Sequence, residues 1–150
     1  TIHLPFVLEV ARRLRPSPVP LVLKTNLYST PAALGAALDA FDAAVADYKF
    51  GNDRCAARLG ACVGYTAVLR RNLRIVAARR QLIVRHLVMP GHVECCLAPV
   101  IEWTRRELPA ARLSVRDHYV PAHRARRGRL GRTTTAAAAQ AARRLLEGVA

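Results

Sequence analysis

Short apolar runs alternate with longer segments of helical periodicity along this chain of 150 residues. The apolar runs cover residues 21–23, 43–46, 82–87 and 113–115. Buried parallel strands have such near-continuous apolar sequences, and strands that alternate with helices indicate βαβ units. The pattern therefore predicts an α/β fold in which about four parallel strands are flanked by helices.

Helix signals fill the intervals between these runs. The predicted helices cover residues 4–14, 30–41, a short segment from Asn52 or Asp53 through 59, a longer one to about 79, 94–108 and 135–146. Thr30 followed by Pro31 is typical of an N-cap and a first helical position. The first helix has no strand before it, although a βα unit begins with one. The chain is therefore expected to form a partial barrel or a small open sheet.

Length and composition favour one domain over residues 1–150, since 52% of the residues are hydrophobic and the chain is long enough to bury a core. No run approaches the roughly 18 apolar residues of a membrane span, and no signal sequence is visible. We expect a cytoplasmic protein with no membrane partner. The four cysteines lack the density of a secreted disulfide framework, so we expect reduced thiols.

The net charge of +14 raises the alternative of a basic module that binds nucleic acid. All but Lys24 and Lys49 of the 24 basic residues are arginines, however, and the chain is also rich in alanine. This joint bias indicates a base-composition preference in the gene, and the arginines are scattered over predicted helix faces. Nucleic acid is therefore not the expected partner. We interpret the dense basic segment 123–132 as a solvated loop.

Charged and polar groups follow each predicted strand, where α/β proteins carry their chemistry. The segments are Thr25-Asn26-Leu27-Tyr28, Asp47-Tyr48-Lys49-Phe50-Gly51-Asn52-Asp53, Arg85-His86-Leu87-Val88-Met89-Pro90-Gly91-His92 and Arg116-Asp117-His118-Tyr119-Val120-Pro121. In order and spacing, they resemble the second half of radical S-adenosylmethionine (radical SAM) proteins, and most of all the subgroup similar to pyruvate formate-lyase activating enzyme.

The resemblance implies a partial (β/α) TIM-like barrel with S-adenosylmethionine lying across the strand ends. In that family a CxxxCxxC loop holds a [4Fe-4S] cluster, which receives electrons from a donor such as flavodoxin or ferredoxin. The oxidoreductase cleaves the cofactor to a 5′-deoxyadenosyl radical, which can activate a glycyl radical protein as substrate. Neither CxxxCxxC nor the family's Gly-Gly-Glu-Pro motif occurs in this sequence. The resemblance thus implies a carboxyl-terminal fragment of the enzyme, inactive alone, or alternatively a non-catalytic scaffold.

Six residues match positions that contact the cofactor in the family. Lys49 is expected to hold the methionine carboxylate, with Asp47 beside it, since residues two apart on a strand point to the same side. Asp47 and Lys49 could equally pair with each other. Arg85 is a second candidate for a carboxylate contact. The remaining three are Thr25, Asn26 and His118. We predict no catalytic residue in the chain.

Histidines and cysteines within eleven positions also raise the possibility of zinc, and these are His86, His92, Cys95 and Cys96. Adjacent cysteines on an α-helix point to different faces, and structural zinc sites usually space their cysteines further apart. We therefore predict no metal ligand here, with Cys55 and Cys62 packing as small apolar residues. His92 follows a turn and is expected to cap the next helix.

Overall fold

Four parallel strands form one sheet in the computed structural model, which describes residues 3–128 and 130–148. The strands follow one another across the sheet in chain order. They are β1 (Val22–Thr25), β2 (Ala43–Asp47), β3 (Gln81–Leu87) and β4 (Arg112–Arg116). The predicted α/β class and the four parallel strands are confirmed, and β1 and β4 form the two edges of the described sheet.

Six α-helices accompany these strands in the described part of the chain. They are α1 (Leu4–Leu14), α2 (Pro31–Ala40), α3 (Asp53–Gly60), α4 (Tyr65–Ala77), α5 (Ala98–Glu107) and α6 (Ala136–Glu147). Helix α1 precedes β1, and the others connect or follow strands. The Thr30 hydroxyl accepts a hydrogen bond from Ala33 N–H, and the Asn52 side chain accepts one from Cys55 N–H. These two caps set the beginnings of α2 and α3, as the sequence predicts.

The predicted helix 94–108 is wrong at its beginning. Residues Val93–Leu97 form a π-helical turn, in which Leu97 N–H reaches back five residues to the His92 carbonyl, and only then does α5 begin. A second irregular segment, the 3₁₀ turn His123–Arg127, lies within the loop predicted from the basic residues.

The helices cover one face of the sheet. Alternate strand residues are buried in a core shared with α2, α3, α4 and α5, and these include Leu23, Ala44, Ala46, Leu82 and Val84. The residues between them are half-buried or exposed on the opposite face, where Val22 is 50% exposed. This alternation follows from the two-residue period of a strand.

A buried aromatic cluster joins the sheet to two of these helices. Trp103 of α5 contacts the Tyr48 ring edge to face, with ring centroids 5.9 Å apart, just beyond β2. The guanidinium groups of Arg70 and Arg74, on α4, each lie 5.3 Å from the Trp103 ring centre. Arg70 also donates a hydrogen bond of 2.8 Å to the Tyr48 hydroxyl. The polypeptide that follows β2 is therefore held from two sides.

Among the described helices, none combines the length and apolar character needed to cross a bilayer.

Candidate functional site

Two adjoining clefts lie at the carboxyl ends of the strands, and Asp47 lines both. The first has a volume of about 570 Å³ and is lined by Asp47, Lys49, Arg85, Leu87, Met89, Arg116, His118 and Tyr119. The second has a volume of about 700 Å³ and is lined by His3, Val7, Lys24, Thr25, Asn26, Tyr28 and Asp47. All six residues predicted to contact a cofactor therefore line one of these clefts, whose sizes are typical of ligand pockets.

Asp47 pairs with Arg85 across neighbouring strands. The two residues are directly opposite in the parallel register of β2 and β3, and the Arg85 Nε donates to the Asp47 carboxylate at 2.7 Å. Within the described residues, Asp47 makes no ion pair with Lys49, so the alternative pairing predicted from sequence is wrong. The cross-strand pair fixes the Arg85 side chain at the floor of the first cleft.

Lys49 presents an exposed cation to the same cleft. Its backbone is fixed because its N–H donates to the Tyr65 hydroxyl at 2.8 Å. Its ammonium group has no hydrogen-bond or ion-pair partner in the part of the chain that the structure describes. The cleft thus offers a positioned but unneutralised positive charge, which an anionic group of a ligand would complement.

The polar residues after β1 form a tight turn. The Thr25 hydroxyl accepts from Leu27 N–H at 3.0 Å, and the Asn26 side-chain oxygen accepts from Tyr28 N–H at 3.1 Å. Leu27 adopts a φ of 53°, a left-handed conformation that is uncommon for a leucine. The buried Asn72 side chain donates to the Leu27 carbonyl at 2.7 Å and so supports this turn. The oxygens of Thr25 and Asn26 are engaged locally, which leaves the Asn26 amide nitrogen as a donor toward the cleft.

The fourth strand contributes Arg116, which sequence reasoning did not single out. Arg116 and Tyr119 line the first cleft beside the predicted His118, whose side chain is 76% exposed. Asp117, between them in sequence, pairs with Arg143 of α6 at 3.0 Å, and this hydrogen bond lowers its pKa. Arg116 follows directly after the apolar run of β4, so its position at the strand end could have identified it.

His86 points away from the clefts, as strand alternation predicts. Its side chain is fully buried, and Nδ1 donates to the Tyr48 carbonyl at 2.7 Å. Its Nε2 is buried without a partner among the described atoms. Burial lowers the pKa of His86 to about 4, against a weaker opposing effect of the Tyr48 carbonyl. The histidine is therefore neutral at physiological pH and belongs to the core.

A second group of polar side chains lies beside the loop that follows β2. The Sγ atoms of Cys55, Cys95 and Cys96 and the ring nitrogen of His92 all lie within 4.8 Å of one another. Cys55 and Cys96 are buried, whereas Cys62 lies apart, with its thiol 3.2 Å from the Gly60 carbonyl. His86 has no part in this group.

The expectation that Cys95 and Cys96 point apart is wrong, because it assumed an α-helix. A π-helical turn has more residues per turn, so adjacent side chains are closer in direction, and the two Sγ atoms are 4.0 Å apart. The His92 side chain makes no capping hydrogen bond and faces the thiols instead. Cys55 is buried as expected, but it packs against other ligand-type groups.

Electrostatics differ among the three thiols. Burial raises the pKa of Cys96 and also that of Cys95, which lies next to Cys55. Burial acts in the same direction on Cys55, but hydrogen bonds from Asn52, Cys96 and Cys95 outweigh it and lower the pKa of that thiol. Burial and the nearby Arg58 lower the pKa of His92, which favours the neutral ring.

Gly51, in the loop after β2, packs closely against the backbone of the π-helical turn. A Cβ at this position would lie 2.5 Å from the Cys96 carbonyl oxygen and 2.8 Å from its Cα. We expect Gly51→Ala to lower the free energy of unfolding by about 1–3 kcal/mol, because backbone atoms must move to admit the methyl group. Urea denaturation of the reduced, metal-free chain measures this difference.

Gly35 provides the matched control. It lies inside α2, where a Cβ would meet its nearest neighbour, an Arg79 nitrogen, at 3.9 Å. Gly35→Ala should therefore raise stability by about 0.5–1 kcal/mol, the usual gain in a helix interior. Equal effects of the two substitutions would contradict the tight packing inferred at Gly51.

The fold and the clefts define an α/β protein with a parallel sheet and a charged site at the carboxyl ends of its strands. The sequence matches no protein-family model. Over 108 residues, or 72% of the chain, it is 31% identical to an uncharacterized protein of Methanocaldococcus jannaschii. The match covers 32% of that relative, so the chain corresponds to about a third of the longer protein's length.

Proposed function

We propose that this chain forms the carboxyl-terminal part of a radical SAM barrel and that its strand-end clefts hold S-adenosylmethionine. The observation that carries the proposal is the convergence of Thr25, Asn26, Asp47, Lys49, Arg85 and His118 on two adjoining clefts. These residues come from the ends of all four strands, and their sequence segments are the ones that resemble the family. The match to one third of a longer relative supports the assignment to part of a larger protein.

The charges of the first cleft suit the amino-acid end of the cofactor. A methionine group carries one carboxylate and one ammonium, which require a cation and an anion at short separation. Lys49 supplies an unneutralised cation, and Asp47, two residues earlier on the same side, supplies the anion. The ion pair with Arg85 holds the Asp47 carboxylate in place before a ligand arrives, and it neutralises part of the carboxylate's charge.

The residues present do not fit the second group that the family uses, the [4Fe-4S] cluster. A cubane cluster distributes its thiolate ligands over separate irons, which keeps their sulfurs far apart, whereas the sulfurs of Cys55, Cys95 and Cys96 lie within 4.8 Å of one another. Under this proposal, the cluster ligands come from another part of the protein. When bound there, the cluster supplies the electron for cleavage of S-adenosylmethionine.

In this arrangement the side chains of this chain bind the ligand and fix its orientation. Lys49 holds the carboxylate of the ligand, while the Asp47–Arg85 pair keeps the neighbouring wall of the cleft rigid. Thr25 and Asn26 form the turn at the far side of Asp47, and the Asn26 amide is available to donate to a polar ligand atom. His118 and Arg116 complete the lining of the first cleft. The expected substrate is a protein.

Replacing Lys49 tests the cofactor assignment. In the protein translated from the complete reading frame, Lys49→Ala should weaken S-adenosylmethionine binding about tenfold or more, because a charge-assisted contact contributes about 1.5–3 kcal/mol. Isothermal titration calorimetry measures the dissociation constant. Arg79→Ala is the matched control, since Arg79 is a cation that pairs with Asp39 on the helix surface, away from both clefts. Equal affinities of the two variants would remove Lys49 from the site.

The reading frame and the reaction product test the activity. We expect the coding sequence before Thr1 to contain Gly-Gly-Glu-Pro and, farther upstream, CxxxCxxC. The reduced product of that frame should release 5′-deoxyadenosine from S-adenosylmethionine, which chromatography detects. A frame without these motifs would contradict the enzyme assignment. Salt-dependent binding of RNA or DNA without any affinity for S-adenosylmethionine would favour the basic binding module instead.

A further inference from the structure

We propose that Cys55, His92, Cys95 and Cys96 form a tetrahedral binding site for a single zinc ion. The site is separate from the strand-end clefts, and its existence does not depend on the proposed cofactor. It joins the first turn of α3 to the π-helical turn before α5, two segments that are 37 residues apart in sequence.

The distances between the candidate ligand atoms fit one tetrahedral ion. With Zn–S bonds of about 2.3 Å and a Zn–N bond of about 2.0–2.1 Å, ligands at tetrahedral corners stand roughly 3.5–3.8 Å apart. The Cys55 and Cys95 sulfurs are 3.8 Å apart, and those of Cys95 and Cys96 are 4.0 Å apart. His92 Nδ1 lies 3.7, 3.2 and 3.8 Å from the sulfurs of Cys55, Cys95 and Cys96. Small movements would equalise these distances around an ion.

The chemistry of the donors selects the metal class. Three thiolates and one imidazole form a Cys₃His set, which is one of the usual structural zinc combinations. Thiolate ligands disfavour magnesium and calcium, which require oxygen. Because four protein atoms complete the tetrahedron, no position is left open for water or substrate. The site is therefore structural, in contrast to a catalytic zinc site with three protein ligands.

The residues around the group provide the support that metal ligands usually have. Asn52 accepts from Cys55 N–H and donates to the Cys95 carbonyl at 2.6 Å, so one side chain ties both ligand segments together. Gly51 packs directly against the backbone of Cys96. Such outer contacts orient the ligands. Arg54 and Arg58 border the same cleft as Cys55, His92 and Cys95, where their charge offsets the net negative charge of three thiolates on Zn²⁺.

The position of the group suggests what the zinc ion does. The loop Phe50-Gly51-Asn52 follows directly after Lys49, and Gly51 packs against the backbone of Cys95 and Cys96. A metal ion that fixes α3 to the π-helical turn would therefore also fix the backbone on which Lys49 stands. The zinc would hold the carboxyl end of β2 in place.

Measuring the zinc content of variants in which one cysteine is replaced tests this site. The reduced chain, purified anaerobically with zinc supplied, should contain one zinc per molecule by mass spectrometry of the metal. Cys95→Ser and Cys55→Ser should each weaken zinc binding more than about 100-fold in competition with a chelator, since even the loss of an outer contact costs about 10–100-fold. Cys62→Ser is the matched control, because Cys62 is the cysteine outside the group, and it should retain zinc at full affinity.

Measurements on the unmodified chain cover the case in which a variant fails to fold. When cobalt replaces zinc, intense visible absorption bands should indicate tetrahedral coordination. The thiolate-to-cobalt charge-transfer band should have the intensity expected for three sulfur ligands. With zinc bound, an alkylating reagent should modify Cys62 and spare the other three cysteines until a chelator is added. Zinc content that is equal in Cys95→Ser and Cys62→Ser would overturn the proposal. So would octahedral cobalt, iron with acid-labile sulfide at these cysteines, or a disulfide among them in the reduced preparation.

Discussion

Trp103→Ala should lower the free energy of unfolding by about 3–5 kcal/mol, the usual cost of removing a large buried aromatic side chain. Trp103 is 3% exposed and contacts Tyr48 edge to face, while two arginines of α4 lie over its ring. Its removal leaves a cavity between α4, α5 and the end of β2. It also deprives Arg70 and Arg74 of a cation–π contact, which contributes about 0.5–2 kcal/mol in such sites.

Urea denaturation followed by circular dichroism measures this change. Phe6→Ala is a suitable control because Phe6 is 70% exposed on α1, so its removal should change stability by less than about 0.5 kcal/mol. Trp103→Phe should lie between the two, since a ring remains to contact Tyr48. If Trp103→Ala cost less than about 1 kcal/mol, the aromatic cluster would not be what holds the segment after β2.

The second large effect is a loss of stability in mild acid caused by His86. Its folded-state pKa of about 4 lies below the ordinary value of 6.5, so the unfolded chain binds the extra proton first. The contribution of the neutral, buried imidazole is complete above pH about 6.5 and is lost as the pH falls toward about 4. At about 1.4 kcal/mol per pKa unit, the loss over this interval reaches roughly 3 kcal/mol.

Urea unfolding curves at several pH values between neutrality and about pH 4.5 measure the slope of the unfolding free energy against pH. His86→Leu removes the titrating group, so its stability should depend less on pH even if the variant is less stable overall. His118→Leu, at a histidine whose side chain is 76% exposed, is the matched control for the loss of a histidine. A slope that is unchanged in His86→Leu would show that acid acts through other groups, such as His92, whose pKa is also lowered.

Much of the fold could be predicted because its local signals agree. The apolar runs coincide with β2, β3 and β4 within one or two residues, and the caps at Thr30 and Asn52 begin helices where their side chains can accept from backbone N–H groups. The apolar run 21–23 begins one residue before β1 and ends two residues short of its end, since Lys24 and Thr25 continue the strand on an edge where polar side chains are tolerated. Edge positions carry a weak apolar signal.

The sites were less predictable because they depend on register and on an irregular helix. Asp47 and Arg85 are 38 residues apart, and only the strand register brings them opposite each other. Cys55 and Cys95 are 40 positions apart in sequence, and the folded structure brings their sulfur atoms together. The cysteine group also required a π-helical turn, which no periodicity of a five-residue segment could indicate. The closely spaced sequence Gly-His-Val-Glu-Cys-Cys after a strand is the available signal, but on a regular α-helix its two cysteines would point to different faces.

The uncovered face and the β1 edge of the described sheet would couple folding to the binding of a partner. Val22, Val45 and Ile83 lie on the face that none of the described helices covers, and β1 is an edge strand of the described sheet. Any strands that dock there bind the folded chain and not the unfolded one, so they stabilise it by mass action. The thermal midpoint of this chain would then rise with the concentration of any partner that pairs with β1. A titration with that partner would turn the dependence into a binding isotherm.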